Sequence, residues 1–255
     1  MKLSVVIPAH NEEDCIESTV MLIYQELTEQ NIPHEILVVN DNSRDGTEVI
    51  LKKLAEKNPS VRYINNIPPN GFGFAVRAGL ENFRGDAVAI MMADNSDSPK
   101  DLVKFYHRMV EGDYDCVFGH RWKKGGKVID YPKHKLWLNR LVNFGINILF
   151  GIRYGDTTNA FKLYRAHVIP YLQPFLSHHF NLTVELPLKA MIRGFSYSVV
   201  PNSWTNRTTG VSKLKIKEMG SRYAFIILYC FIEKWLSRGD YHFSNPKLKK
   251  VKSSV

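Results

Sequence analysis

Three short segments of this 255-residue chain gather carboxylates and amides: Pro8-Ala9-His10-Asn11-Glu12, Asn40-Asp41-Asn42-Ser43-Arg44-Asp45-Gly46-Thr47 and Ala93-Asp94-Asn95-Ser96-Asp97-Ser98-Pro99. Side chains of this kind accept hydrogen bonds from ribose hydroxyls and base N–H groups, and they bind hard divalent cations through oxygen. A plainer role is also open to them, because Asn11, Ser43 and Asp97 each sit where a helix N-cap belongs. Capping accounts for any one loop as well as ligand binding does. Three such loops at successive strand ends favour a shared site.

The elements that position these loops follow from hydrophobic periodicity. Short β-branched runs at Leu3 to Ile7, Ile36 to Val39, Val61 to Ile64, Ala87 to Met92 and Cys116 to Gly119 read as buried strands. Between them, Glu12 to Gln30, Thr47 to Asn58, Phe74 to Asn82 and Lys100 to Gly112 read as helices, with Pro99 suited to the first turn of the last. Strand alternating with helix predicts an α/β fold, with a mostly parallel sheet covered on both faces. Ligands of such sheets bind at the carboxyl ends of the strands, which is where the three loops fall.

Composition narrows the function. Residues 1–115 hold 11 Lys/Arg against 19 Asp/Glu, residues 116–204 hold 12 against 3, and residues 205–255 hold 11 against 3, so an acidic front is joined to a basic back. A basic half attracts nucleic acid, anionic lipid or a phosphorylated substrate. Nucleic acid is disfavoured, because the aromatics cluster in apolar helical runs rather than alternating with cations. No Gly-x-Gly-x-x-Gly follows the first strand, and no phosphate-binding Gly-Lys-Ser/Thr loop or Gly-x-Ser-x-Gly elbow occurs, which leaves hydride transfer, nucleotide hydrolysis and serine-hydrolase chemistry unsupported. Three widely spaced cysteines form neither a disulfide framework nor a zinc pattern, and a reducing compartment is the expectation. No apolar run reaches the roughly 18 residues a membrane span needs, and no signal peptide is read at the start, so a cytoplasmic location is expected.

Taken together, the motifs resemble family 2 glycosyltransferases of the GT-A fold, and within them the polyprenyl-phosphate (dolichyl-phosphate) mannosyltransferase group. Val5-Val6-Ile7-Pro8-Ala9-His10-Asn11-Glu12, Asp41 to Thr47 and Met91-Met92-Ala93-Asp94 carry the likeness in the front half. Gly119-His120-Arg121, Asp156 to Lys162 and Trp204 to Lys213 continue it, so that it covers nearly residues 3 to 240. The resemblance implies one GT-A catalytic domain over residues 1–240. Within it, 1–115 would bind a nucleotide sugar, 116–215 the acceptor, and 216–240 would form an amphipathic C-terminal helix; 241–255 would be a flexible basic tail.

By the same resemblance, Pro8, Asn11, Glu12 and Asp41 line the nucleoside of a GDP- or UDP-hexose, and Asp94 holds Mg2+ or Mn2+ on the diphosphate. The first Asp of the family's D-x-D is Met92 here, and a thioether is a poor ligand for these ions. The metal would then rest on Asp94 with Asp97, or on Asp94 with the diphosphate and waters. The implied acceptor is a polyprenyl phosphate whose oxygen attacks the anomeric carbon with inversion. An ionised phosphate needs cations rather than a base. Arg121, Arg207 and Lys213 match the family's positions, with Lys133, Lys135 and Asn139 adjacent; Asp94, Arg121 and Arg207 form the implied catalytic set.

Two other readings stay open. Transfer to a saccharide or lipid-linked saccharide hydroxyl would require a base, with Glu185 or Asp97 as candidates, although Glu185 in an apolar helix equally suits a structural ion pair. A non-catalytic sugar-nucleotide binder would suit Met92. The apolar runs Leu136 to Phe150 and Tyr223 to Ile232, flanked by cations and followed by the polybasic 247–252 stretch, suit either core packing or peripheral attachment to the inner face of a membrane. The family resemblance also favours a homo-oligomer.

Overall fold

The computed structural model describes residues 1–206 and 216–244, without the side chains of 133–135 and 216–219. Strands β1 (Leu3–Ala9), β2 (His34–Asn40), β3 (Val61–Asn65), β4 (Ala87–Ile90) and β5 (Cys116–His120) alternate with helices α1 (Ile16–Glu29), α2 (Thr47–Lys57), α3 (Phe72–Asn82) and α4 (Pro99–Glu111). Beyond β5 come β6 (Lys127–Ile129), the long α5 (Lys133–Phe150), β7 (Lys162–Arg165), a single turn α6 (Ile169–Leu172) and α7 (Leu182–Ile192). The described chain then adds β8 (Tyr197–Pro201), β9 (Ser203–Thr205) and α8 (Ile216–Leu236).

The main sheet runs β3-β2-β1-β4-β7-β5-β8, and β6 pairs separately with β9. Side chains alternate across it as a twofold period requires. Leu3, Val5 and Ile7 pack on one face with Ile16 and Val20 of α1, Leu51 of α2 and Phe105 of α4. Val6, Leu37 and Val39 pack on the other with Val76 and Leu80 of α3 and Leu182 and Leu186 of α7. At about 1.5–3 kcal/mol for each fully buried aliphatic side chain, these two layers supply the main stabilisation of the fold.

One strand departs from the expected order. β7 runs antiparallel to both β4 and β5, while the other pairings of the main sheet are parallel. The parallel strands place their exits at one edge, so the reversed β7 places its entry there. Residues 156–161 therefore join the loops after β1, β2, β4 and β5 on a single rim.

A third cluster joins α5, α7 and α8 through Ile146, Phe150, Val184, Leu188, Ile226 and Cys230. The apolar runs in α5 and α8 thus do pack on the core, but with one face only. Trp137, Leu141, Phe144 and Ile148 of α5 stay 50–70% exposed, as do Phe225, Leu228 and Trp235 of α8 at 57–59%. After α8 the chain returns to the body, where the Phe243 amide donates to the Arg193 carbonyl and its ring stacks on Phe195 at 5.0 Å. Residues 241–244 are therefore docked, and the Lys-rich remainder of the tail lies outside the described residues.

Helix α3 enters the rim through two glycines. Gly71 has φ 137°, a conformation open to glycine alone, and a Cβ on Gly73 would lie 2.4 Å from the carbonyl carbon of His178. That neighbour is backbone and cannot rotate away. Gly73→Ala should therefore lose about 1–3 kcal/mol from overpacking, more than the ~1 kcal/mol by which Ala favours a helix over Gly. Chemical denaturation should show a lower midpoint; a midpoint at or above wild type would contradict this close approach.

Candidate active site

The first two loops are laced to each other rather than used as helix caps. Helices α1, α2 and α4 are preceded by Cys15, Gly46 and Ser98, none of which makes a side-chain cap hydrogen bond. Asn11 takes a left-handed backbone at φ 51°, and its Oδ1 accepts from the Arg44 amide at 2.7 Å while its own amide donates to Ser43 Oγ at 3.0 Å. The Glu12 amide donates to Thr47 Oγ1, and Glu13 Oε2 accepts from the Gly46 amide. The capping explanation for Asn11 and Ser43 is thus replaced by contacts between loops, and Asp97 instead accepts from the Met92 amide of its own loop. Pro8 lies buried within β1 opposite Val39, directly below this rim.

Asp41 is buried and engaged by its own chain. Its Oδ1 accepts from the amides of Asn66 (2.7 Å) and Asn70 (3.1 Å), and its Oδ2 accepts from the Gly71 backbone N–H (2.8 Å). The carboxylate therefore also folds the 66–71 segment over the rim and fixes the start of α3.

Across the rim, Asp94 is half-buried, with Oδ1 accepting from the Ser96 amide at 3.2 Å. The Thr19 hydroxyl ties this loop to α1 through the Ala93 carbonyl and Asn95 Oδ1. Asp97 is buried behind it, and its Oδ2 accepts from the Met92 amide at 3.1 Å. Burial, reinforced by the Asp94 and Asp101 carboxylates, pushes Asp97 up to about 7 against the opposing pull of the Met92 amide and Arg121. Asp94 and Asp97 follow the exit of β4 and Arg121 the exit of the parallel β5, which places acid and cation on one shared rim. Among the described residues, no group of three His, Cys, Asp or Glu could hold a metal by itself. Asp94 still suits a hard cation, since Mg2+ is commonly held by one or two carboxylates together with substrate phosphates and water.

Arg121 is held rather than loose. Its Nε and Nη2 donate to the two oxygens of Asp156 at 2.9 and 2.7 Å, and its backbone amide adds a third bond to the same carboxylate at 2.9 Å. Both partners are buried. One edge of the guanidinium is thus committed to Asp156. The guanidinium also lies 5.5 Å from the Tyr131 ring and 5.8 Å from that of Trp122, and Tyr131 packs in turn on Trp204. Trp204 bridges back to Asp97, and the Thr205 amide donates to the Ser96 carbonyl, so β9 joins the acidic loop to the basic half.

Lys162 is buried beside this pair, with its ammonium on the carbonyl oxygens of Thr157 and Asn159; burial lowers it to about 7. Asn139 is buried on α5 and donates to Thr158 Oγ1. Lys133 and Lys135 lie in the first turn of that helix. Arg207 and Lys213 fall outside the described residues.

Of the two roles open to Glu185, the structure shows the ion pair. Its oxygens accept from the Leu176 and Ser177 amides at 2.8 and 2.7 Å and from the Lys189 ammonium one turn away, with both ion-pair partners fully buried. A carboxylate so committed is a structural group and not a base. The i,i+4 spacing of Glu185 and Lys189 was the available signal. Asp156, Lys162 and Asn143, none given a role from sequence, prove central to the rim; the signal for the first two was the Asp156 to Lys162 segment of the family likeness.

Residues 4–172 match the family model Glycosyl transferase family 2, and the chain belongs to that family. It is a glycosyltransferase. Polyprenol monophosphomannose synthase of Mycolicibacterium smegmatis is 31% identical over 216 residues, 82% of this chain and 80% of that one. Glycosyltransferase AglD of Haloferax volcanii is 26% identical over 208 residues, which are 80% of this chain but 33% of that protein. Among solved structures, glucosyl-3-phosphoglycerate synthase from Mycobacterium tuberculosis in complex with Mn2+, UDP-glucose and phosphoglyceric acid superposes with a TM-score of 0.70 at 17% identity. That match covers 90% of this chain and 79% of the other, and the shared architecture is GT-A.

The raised Asp97 has a consequence for stability. The unfolded carboxyl titrates near 3.8 and the native one near 7. Between those values the native state binds the extra proton, so stability falls as pH rises through the window and the full penalty stands above it. Lys162 has the opposite slope, gaining stability from about pH 7 towards 10.5. Metal-free Asp97→Asn should therefore flatten the loss between pH 4 and 7 and exceed wild type in stability at pH 8. Urea unfolding at pH 5 and 8 reads this directly; parallel curves for the two proteins would contradict it.

Proposed function

We propose that this glycosyltransferase moves a hexose from a nucleoside diphosphate to a polyprenyl phosphate, with inversion, at the cytoplasmic face of a membrane. The supporting observation is that Asp94 and Asp97 after β4 and the buried Arg121 after β5 share one rim, to which α5 is tied through Asn139 and Thr158. The likeness to polyprenol monophosphomannose synthase supports the same acceptor class and a mannosyl donor.

In this reading Pro8, Asn11, Glu12 and Asp41 frame the nucleoside of a GDP- or UDP-sugar. Asp94 would hold Mg2+ or Mn2+ together with the diphosphate, and the cation would supply charge neutralisation for the leaving group. Asp97 supports the Asp94 loop through the Met92 amide. The acceptor phosphate would be steered by Arg121, and the family resemblance adds Asn139, Lys133, Lys135, Arg207 and Lys213 as further acceptor-binding residues. One phosphate oxygen forms a bond to the anomeric carbon as the bond to the diphosphate breaks, so a single displacement inverts that carbon. The nucleophile is already ionised, and no proton has to be removed.

Peripheral attachment suits α5 and α8. No helix among the described residues is long and apolar enough to cross a membrane. Their exposed aromatics, Trp137, Phe144, Phe225 and Trp235, suit the lipid headgroup region. Transfer to a saccharide hydroxyl is the second reading, favoured by the near-neutral Asp97 as a base; the burial of Asp97 and its bond to the Met92 amide weigh against it.

Radiolabelled transfer with GDP- and UDP-sugars, Mg2+ or Mn2+, and either polyprenyl phosphate in anionic vesicles or oligosaccharide acceptors tests the reading. The expected outcome is product with the lipid phosphate alone, and a loss of about 10²-fold or more in Asp94→Ala. Turnover with oligosaccharides lacking phosphate, or donor binding without transfer or hydrolysis, would overturn it.

A further inference from the structure

Helix α5 has two unlike faces. Trp137, Leu141, Phe144 and Ile148 look outward, while Asn139, Asn143, Ile146 and Phe150 form a buried stripe. Within that stripe Asn143 stands out, because a mid-helix amide that is only 2% exposed needs a reason. All its hydrogen-bonding capacity is used. Oδ1 accepts both from the backbone N–H and from the hydroxyl of Thr157, each at 2.7 Å, and Nδ2 donates to the Asn139 carbonyl (2.8 Å) and to Asn139 Oδ1 (3.0 Å). Asn139 in turn donates to Thr158 Oγ1. Two successive turns of α5 therefore grip two successive residues of the segment that enters β7.

That segment carries the cation of the rim. Asp156, one residue before Thr157, holds the Arg121 fork and backbone amide by three hydrogen bonds, and the Thr157 and Asn159 carbonyls hold the Lys162 ammonium. The donor side belongs to a different network, in which Asp41 orders residues 66–71. We infer that Asn143 is a positioning residue for acceptor capture: through Thr157 it sets the place of Asp156, and through Asp156 the direction in which Arg121 meets an anionic acceptor. The helix with the exposed apolar face thereby also aims the guanidinium. The role of Arg121 towards the acceptor rests on the proposed function; the mechanical link from Asn143 to Arg121 rests on the hydrogen bonds alone.

Replacing Asn143 by Leu keeps the branched heavy-atom skeleton and strands two buried donors of Thr157, which must move to find new partners. The test compares Asn143→Leu, Thr157→Val and Thr157→Ser with wild type. Amide exchange followed by NMR should be at least about tenfold faster at Thr157 and Arg121 in Asn143→Leu and unchanged at Gly71, the amide held by Asp41. The KM for polyprenyl phosphate should rise about tenfold, and the donor KM should stay within about twofold. Thr157→Val should shift the same parameters less, and Thr157→Ser, which keeps the hydroxyl, should restore wild-type values. Unchanged exchange at Arg121, a joint rise of both KM values with faster exchange at Gly71, or equal damage from Ser and Val at position 157 would overturn the inference. If Asn143→Leu fails to fold, the Thr157 pair decides by the same measures. Should wild type itself fail to use polyprenyl phosphate, the proposed function falls while the exchange comparison still decides the link.

Discussion

The bidentate pair of Arg121 and Asp156 is the constraint on which the rim depends. Removing two charges from water costs several kcal/mol for each ion, and only close geometry with further hydrogen bonds offsets it. Here both nitrogens of one guanidinium edge and a backbone amide converge on a single carboxylate. The pair also joins two chain segments that run in opposite directions, the exit of β5 and the entry of β7. Without the reversal of β7, Asp156 would lie at the far edge of the sheet and the cation would have no anchor beside the acidic loops.

Opposite charges placed close together tend to collapse onto each other, and this rim avoids that by engaging each group separately. Arg121 is committed along one edge to Asp156, Asp41 to the amides of Asn66, Asn70 and Gly71, and Asp97 to the Met92 amide. Burial pushes Asp97 up to about 7, which reduces the negative charge it adds beside Asp94 near neutrality. Each charge on the rim therefore has partners of its own within the chain.

Much of this organisation was readable from residue types. The unbroken run Val5-Val6-Ile7 implied a strand buried on both faces, and the acidic loops lay at strand ends because parallel sheets put them there. β7 escaped because Lys162 occupies a buried strand position where an apolar residue was expected, and because strand direction leaves no local signature. The loops were found as polar segments, but their partners were not: Asn11 looked like a cap and instead takes a left-handed turn that binds the Ser43 hydroxyl and the Arg44 amide. Glu185 looked like a possible base because its carbon neighbours are apolar, yet Lys189 one turn later neutralises it. Hydrogen-bond partners depend on distances across the fold, and spacing along the chain does not carry them.

The most direct test of the two-sided rim is a crystal grown with a nucleoside diphosphate and Mn2+, examined by anomalous scattering. The account predicts a manganese peak at the Asp94 carboxylate, the nucleoside against the Asp41 loop and the diphosphate turned toward Arg121. A manganese peak remote from Asp94, or a nucleoside bound on the opposite edge of the sheet, would contradict it.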